Sequence, residues 1–143
     1  MIELANPEHI QRIEAACGRI FNYRCDVCLS RSRDGELLGG VIYEGYTRAS
    51  IQAHVASFSP TLWMDRTFLW MVFDYPFSQL KVDRIFTQTR ETNVAALEFN
   101  RKLGFKEICR IDGVFPDGRC VVNAMAREDC RWLKLKPRMP NGK

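Results

Sequence analysis

Two histidines, His9 and His54, stand among the 143 residues of this chain, and histidine is the side chain whose ordinary pKa, about 6.5, suits it to moving protons near neutral pH. Alternation along an extended run puts Ser50, Gln52 and His54 on one face, opposite Ile51, Ala53 and Val55, so His54 looks away from the apolar side. His9 falls in a helix. Among carboxylates, Glu36 and Glu44 flank strand-like runs and are weaker candidates for a base, each read as a solvated hairpin charge. Tyr75 is the nearest phenol, read as an amphipathic core residue. Six cysteines lie at 17, 25, 28, 109, 120 and 130. Cys25-Asp-Val-Cys28 has metal-like or redox-like spacing, but a structural zinc site wants a second pair. The thiols are therefore read as free and mostly buried, small hydrophobes rather than ligands.

These groups need elements to position them. Asn6-Pro7-Glu8 is a helix start with cap, Pro and acid in order, followed by Ile10, Ile13, Cys17 and Ile20 on one face. A strand from about Asp26 to Arg31 turns at Arg33-Asp34-Gly35. Leu37 to Glu44 rises again, Gly45 breaks it, and Arg48 to Phe58 follows, making an antiparallel meander. Beyond Pro60, residues Phe68, Leu69, Val72, Phe73 and Phe77 predict a largely buried helix from about Asp65 to Gln79, with Pro76 fraying its last turn. Val82 to Thr89 is a strand. Asn93 to Leu103 is a helix with Thr92 as N-cap, Ala96, Phe99 and Leu103 as its apolar stripe, and Gly104 as a left-handed exit. Phe105 to Phe115 and Cys120 to Ala126 close the chain as a hairpin about Pro116-Asp117-Gly118. The order α-β-β-β-α-β-α-β-β is an α+β arrangement: one twisted mixed sheet with helices on both faces. Residues 1–133 read as one domain and 134–143 as a basic flexible C-terminal tail.

Asn93, Ala96, Lys102 and Gly104-Phe105 resemble the "N-x-x-A-x-x-x-Y-x-K-x-G-F" segment of the GNAT superfamily of N-acetyltransferases. The element order is that of the same family, with Met1 to Leu4 supplying a stub of its short first strand, so the resemblance covers nearly the whole chain. The resemblance implies an acyltransferase that moves an acetyl group from acetyl-CoA directly to a primary amine of a protein or small molecule. Phe105-Lys106-Glu107 and the Pro-Asp-Gly hairpin look most like the branch acting on protein N-termini. Amide formation from a thioester needs a neutral amine, a polarised carbonyl and a proton for the leaving sulfur. The family's carbonyl contact, a backbone N–H on the fourth strand, falls at Val55 to Ser57, and His54 beside it is the candidate base. Asn93 would hydrogen-bond the pantetheine arm, or serve only the helix start.

Two departures stand out. Asn100 occupies the position of the family's Tyr, which can protonate the departing thiolate. The family's phosphate loop, "Q/R-x-x-G-x-G/A", maps near residues 60–65, and neither glycine is present there. Pro60 has no N–H to donate and Asp65 brings a negative charge, while Arg66, Thr61 and Thr67 offer a cation and hydroxyls to phosphate oxygens. The cosubstrate-binding set implied by the resemblance is Val55, Ser57, Thr61, Leu62, Trp63, Met64, Arg66, Thr67, Asn93 and Asn100, with no metal.

Composition narrows the classes. A hydrophobic fraction of 46% with sixteen aromatic residues suits a packed domain. No apolar run reaches the roughly 18 residues of a membrane span, and the first residues lack the basic and apolar regions of a secretory signal, so a cytoplasmic setting is expected. The formal charge of +4 is mild and gathers in the tail, and no basic patch interleaved with stacking aromatics argues for nucleic acid. The expected partner is the acceptor amine, with a homodimer allowed. The competing reading is a non-catalytic GNAT-like module that binds a protein. Its support is the glycine-free loop, the missing Tyr and the aromatic residues from Trp63 to Phe77.

Overall fold

The computed structural model describes residues 1–59 and 63–137. Its centre is a seven-stranded sheet in the order β1-β2-β3-β4-β5-β7-β6. The strands are β1 (Ile2–Leu4), β2 (Val27–Arg33), β3 (Glu36–Glu44), β4 (Ser50–Ser57), β5 (Arg84–Arg90), β6 (Lys106–Phe115) and β7 (Gly118–Ala126). Helix α1 (Pro7–Cys17) precedes β2, α2 (Arg66–Asp74) joins β4 to β5, and α3 (Val94–Leu103) joins β5 to β6. Every neighbouring pair is antiparallel except β4 with β5. This is the α+β mixed sheet expected from the element order, meander and closing hairpin included.

Helix α1 starts as its residues predict: the Asn6 side chain accepts from the N–H groups of Glu8 and His9, with Pro7 at the first helical position. It ends one turn early. Gly18 is left-handed (φ 65°), and the N–H groups of Gly18 and Arg19 bond back to Ala15 and Glu14 carbonyls. Ile20 therefore falls beyond the helix and is 91% exposed, a correction to the expected four-residue stripe. Ile10 and Ile13 form the buried part of the stripe, packed with Phe21, Cys28, Leu37, Ile42 and Ala56 on one face of the sheet.

The larger core lies on the other face, where Leu29, Val41, Tyr43, Ile51, Ala53, Ile85 and Met125 meet α2 and the end of α3. Pro76 does not fray α2; the chain widens into a π-helical turn, Tyr75–Gln79. Pro lacks the N–H that would serve the carbonyl of Val72 four residues back. The Tyr43 hydroxyl donates to that carbonyl instead, at 2.5 Å. Two glycines in the middle of β3 let both layers approach. A Cβ on Gly39 would sit 2.5 Å from the Trp63 ring, and one on Gly40 would sit 2.3 Å from Ile13 Cδ1.

Helix α3 is capped by Asn93, whose Oδ1 accepts the Ala96 N–H at 3.2 Å, so Thr92 is not the cap. Gly104 is the left-handed exit (φ 109°). The carbonyls left free there are covered from the C-terminal segment: Arg131 donates to Lys102 O and Trp132 Nε1 to Leu103 O. Trp132 also stacks on Phe73. These residues belong to a 3-10 helix, Arg131–Leu135, whose Trp132 and Leu133 pack against the larger core.

Candidate functional site

Strands β4 and β5 run together only briefly. Their registered pairs are Ser50 with Arg84, Ile51 with Ile85 and Gln52 with Phe86; beyond these the strands part. The backbone phase of β4 follows from its other neighbour. Phe58 N–H donates to Leu38 O just past the β3 ladder, so His54 and Ala56 share that hydrogen-bonding phase and turn their amide groups to β3. Val55 and Ser57 consequently turn theirs toward β5, where the ladder has already ended. A parallel pair split at its C-terminal ends presents free amide edges to a ligand. The cleft so formed has a volume of about 820 Å³.

Its β4 side carries a titratable cluster. His54 is buried, and its Nε2 lies 2.8 Å from Glu44 Oε1 and 3.2 Å from Arg19 Nε. Arg19 Nη2 also donates to Glu44 Oε1. Burial and then the Arg19 charge push the His54 pKa below its ordinary value, against the opposing pull of Glu44 and Asp26. Burial raises the Glu44 pKa, but its hydrogen bond and charge partners, His54 and Arg19, outweigh that and hold it low. A neutral imidazole beside an ionised carboxylate at 2.8 Å must place its proton between them. Nε2–H then donates to Glu44, and Nδ1 is left as the ring's proton acceptor. Cys17 lines the same side, where burial pushes its thiol up to about 11, so it stays protonated and unreactive.

The opposite side is neutral. Asn100 Nδ2 is shared between the hydroxyls of Thr87 (3.3 Å) and Thr89 (3.2 Å), tying α3 to β5. Small residues Ala95 and Ala96, with Asn93, leave the start of α3 open to the cleft.

Of the residues expected to bind the cosubstrate, Val55, Ser57, Trp63, Asn93 and Asn100 line this cleft together with His54. Trp63 is buried, and its Nε1 donates to Ser57 Oγ at 2.8 Å, so it closes the end of β4. Met64 belongs to the larger core and not to the cleft lining. Arg66 and Thr67 are exposed in the first turn of α2. Thr61 and Leu62 lie outside the described residues. Asp65 caps α2 by accepting from Phe68 N–H at 2.9 Å, and Arg31 Nη2 pairs with it at 2.5 Å. The carboxylate is thus matched by a cation.

Arg19 escaped the reading from sequence because it lies outside any periodic element; the Gly just before it, which turns the chain there, was the available signal. Glu44 was read as a solvated charge, and instead accepts from His54 and Arg19. Gly39-Gly40 inside a strand was the missed sign of close approach. Among the described residues no group of three or more His, Cys, Asp or Glu could hold a metal ion, and no helix is long and apolar enough to cross a membrane.

No family model and no curated protein matches the sequence. Solved structures do match in fold. The spermidine N-acetyltransferase of Vibrio cholerae in complex with CoA and spermine aligns with a TM-score of 0.69 at 12% identity, over 90% of this chain and 96% of that one. The Campylobacter jejuni N-acetyltransferase PseH in complex with acetyl coenzyme A gives 0.60 at 14% identity, over 89% and 99%. A GNAT-family acetyltransferase from Bacillus anthracis gives 0.60 at 11% identity, over 84% of each chain. At such identities the likeness speaks for the fold, and the fold of this chain is that of the GNAT N-acetyltransferases.

Proposed function

We propose that this protein is an acetyl-CoA-dependent N-acetyltransferase acting by direct transfer to a primary amine, on a small molecule or at a protein N-terminus. The observation that carries this reading is the parting of β4 from β5, which turns the amide edges of Val55 and Ser57 into an 820 Å³ cleft. A thioester arm laid along that edge gains the hydrogen bonds that a sheet neighbour would supply, and one such N–H polarises the carbonyl. Acetyl-CoA fits the cleft in this respect, as a thin chain between a bare strand edge and the small residues of α3. For the phosphate end, the reading assigns Arg66, Thr67 and the first-turn amides of α2, with Thr61 and Leu62 shortly before them in the sequence. Asn93 would contact the arm from the start of α3.

The amine nitrogen attacks the thioester carbonyl, its N–H proton passes to His54 Nδ1, the C–S bond breaks, and the thiolate takes a proton from water. Glu44 fixes the imidazole tautomer and is a positioning residue. Asn100 is committed to Thr87 and Thr89, so no protein acid is needed for a leaving group as good as a thiolate. Incubation with acetyl-CoA and a mixture of amines, followed by thiol release and mass spectrometry, tests the reading. N-acetylated amine with stoichiometric free CoA is expected. Saturable acetyl-CoA binding with no transfer to any amine would favour the binding-module alternative.

A further inference from the structure

The charged groups of the cleft are distributed unevenly. Among the described residues that line it, the charged side chains are Arg19 and Arg90, and no carboxylate is among them. Each arginine is paired with an acid that stands off the lining: Arg19 with Glu44, and Arg90 with Asp117. Other acids near the α1 side are also engaged. Glu14 accepts the Phe21 N–H at 2.7 Å, and Asp26 the Asn22 N–H at 2.8 Å. The charged residues that border the space are therefore cationic and their acids stand off the lining, which biases the cleft toward positive potential. Arg90 is at the end of β5, beside Asn93, whose N–H donates to the Arg90 carbonyl. Arg19 is at the other extreme, against His54.

Resting on the reading above, we infer that the acceptor is an amine carrying a carboxylate or phosphate close to its nitrogen, held by Arg19, and is not a polyamine. Arg19 lies against His54 on the same side of the cleft, so an anionic group bound to it brings the neighbouring amine toward the imidazole. Its Nε–H points at the His54 ring and one Nη2–H serves Glu44, which leaves the Nη1 edge of the guanidinium for an incoming oxyanion. Of its five N–H groups two are so engaged, and the remaining three allow bidentate contact. A polyamine would bring further cations beside Arg19 with no carboxylate on the lining to receive them.

The test compares matched amines with the full-length protein: common α-amino acids against their carboxamides, O-phosphoethanolamine against ethanolamine, and spermidine. Thiol release gives kcat/KM, and calorimetry in parallel gives acetyl-CoA affinity. At least one anionic member should exceed its neutral partner by about tenfold or more, since a site built to bind a polar group rejects the analogue lacking it. Arg19→Gln should abolish that ratio and Arg19→Lys should restore part of it, with acetyl-CoA affinity unchanged in both. Spermidine or the neutral members acetylated as well as the anionic ones, or acetylation of none, with acetyl-CoA bound, would overturn the inference and leave the cosubstrate assignment standing. Absence of acetyl-CoA binding would remove both.

Discussion

On the β4 side of the cleft His54, Glu44 and Arg19 form a charged, titratable cluster, whereas on the β5 side Thr87, Thr89 and Asn100 form a neutral one held by amide-to-hydroxyl bonds. Both are buried polar groups with partners, but they answer different demands. A proton must leave the attacking amine, and only a group with a pKa near working pH can take it. A thioester arm needs a fixed neutral surface, and charge there would add nothing to a chain that carries none. The division assigns chemistry to β4 and support to β5. Substitutions on the two sides should therefore fail in different ways.

The largest expected effect is on the support of the β4 side itself. Gly40→Val would drive a side chain into Ile13 and the Leu29 carbonyl, and overpacking of this kind against backbone should destabilise the domain by about 3 kcal/mol or more, read as a fall in melting temperature. A melting point equal to the parent would mean that α1 is free to move off the sheet. Next comes His54→Gln, which should slow turnover about 10²-fold, or about 2.7 kcal/mol, with acetyl-CoA affinity retained. Burial and Arg19 hold the His54 pKa under 6.5. Activity should therefore rise with pH through an apparent pKa below that value and be level above it. Because Glu44 opposes the shift, Glu44→Gln should move the rise to still lower pH. An unchanged profile in both variants would make the cluster structural.

On the β5 side the expected signature is the reverse. Asn100→Ala leaves the buried Thr87 and half-buried Thr89 hydroxyls without their donor and should cost about 1–2 kcal/mol of stability, while kcat changes little. A collapse of kcat with stability intact would instead give Asn100 a hydrogen-bonding role toward the leaving sulfur, at the position where the family has Tyr. The smallest effect belongs to Arg66→Ala. Arg66 is exposed, so solvent screening limits its pairing with phosphate to about 1 kcal/mol of acetyl-CoA affinity. Calorimetry at low and high salt would show it, and equal affinity at both would place the phosphates elsewhere.

The fold was largely legible in the residues. Periodicity, caps and the two Asx/Gly turns set β2 to β7 and α1 to α3, because each signal is local: Asn6-Pro7, Asp34-Gly35, Gly104 and Asp117-Gly118 act through their own backbone. Helix α1 stopped early for a local reason, the left-handed Gly18, but at α2 a distant group intervened. Tyr43 supplies the donor that Pro76 removes, and α2 continues as a π turn instead of fraying. Trp132 and Arg131 cover the carbonyls at the end of α3, a contact that no local pattern announces. The site was legible in part for the same reason. Strand alternation could place His54 on its face, but its partners lie 35 and 10 residues away in sequence, and no local pattern could bring Arg19 or Glu44 to it.

Amide hydrogen exchange of the protein with and without acetyl-CoA tests the central claim most directly, because it reports binding and location together. The account predicts that saturating acetyl-CoA slows exchange at Val55 and Ser57 by about tenfold or more, as free strand-edge amides gain partners, while the outer edge strand β6 exchanges as before. Unchanged exchange at Val55 and Ser57 with acetyl-CoA in millimolar excess would contradict it.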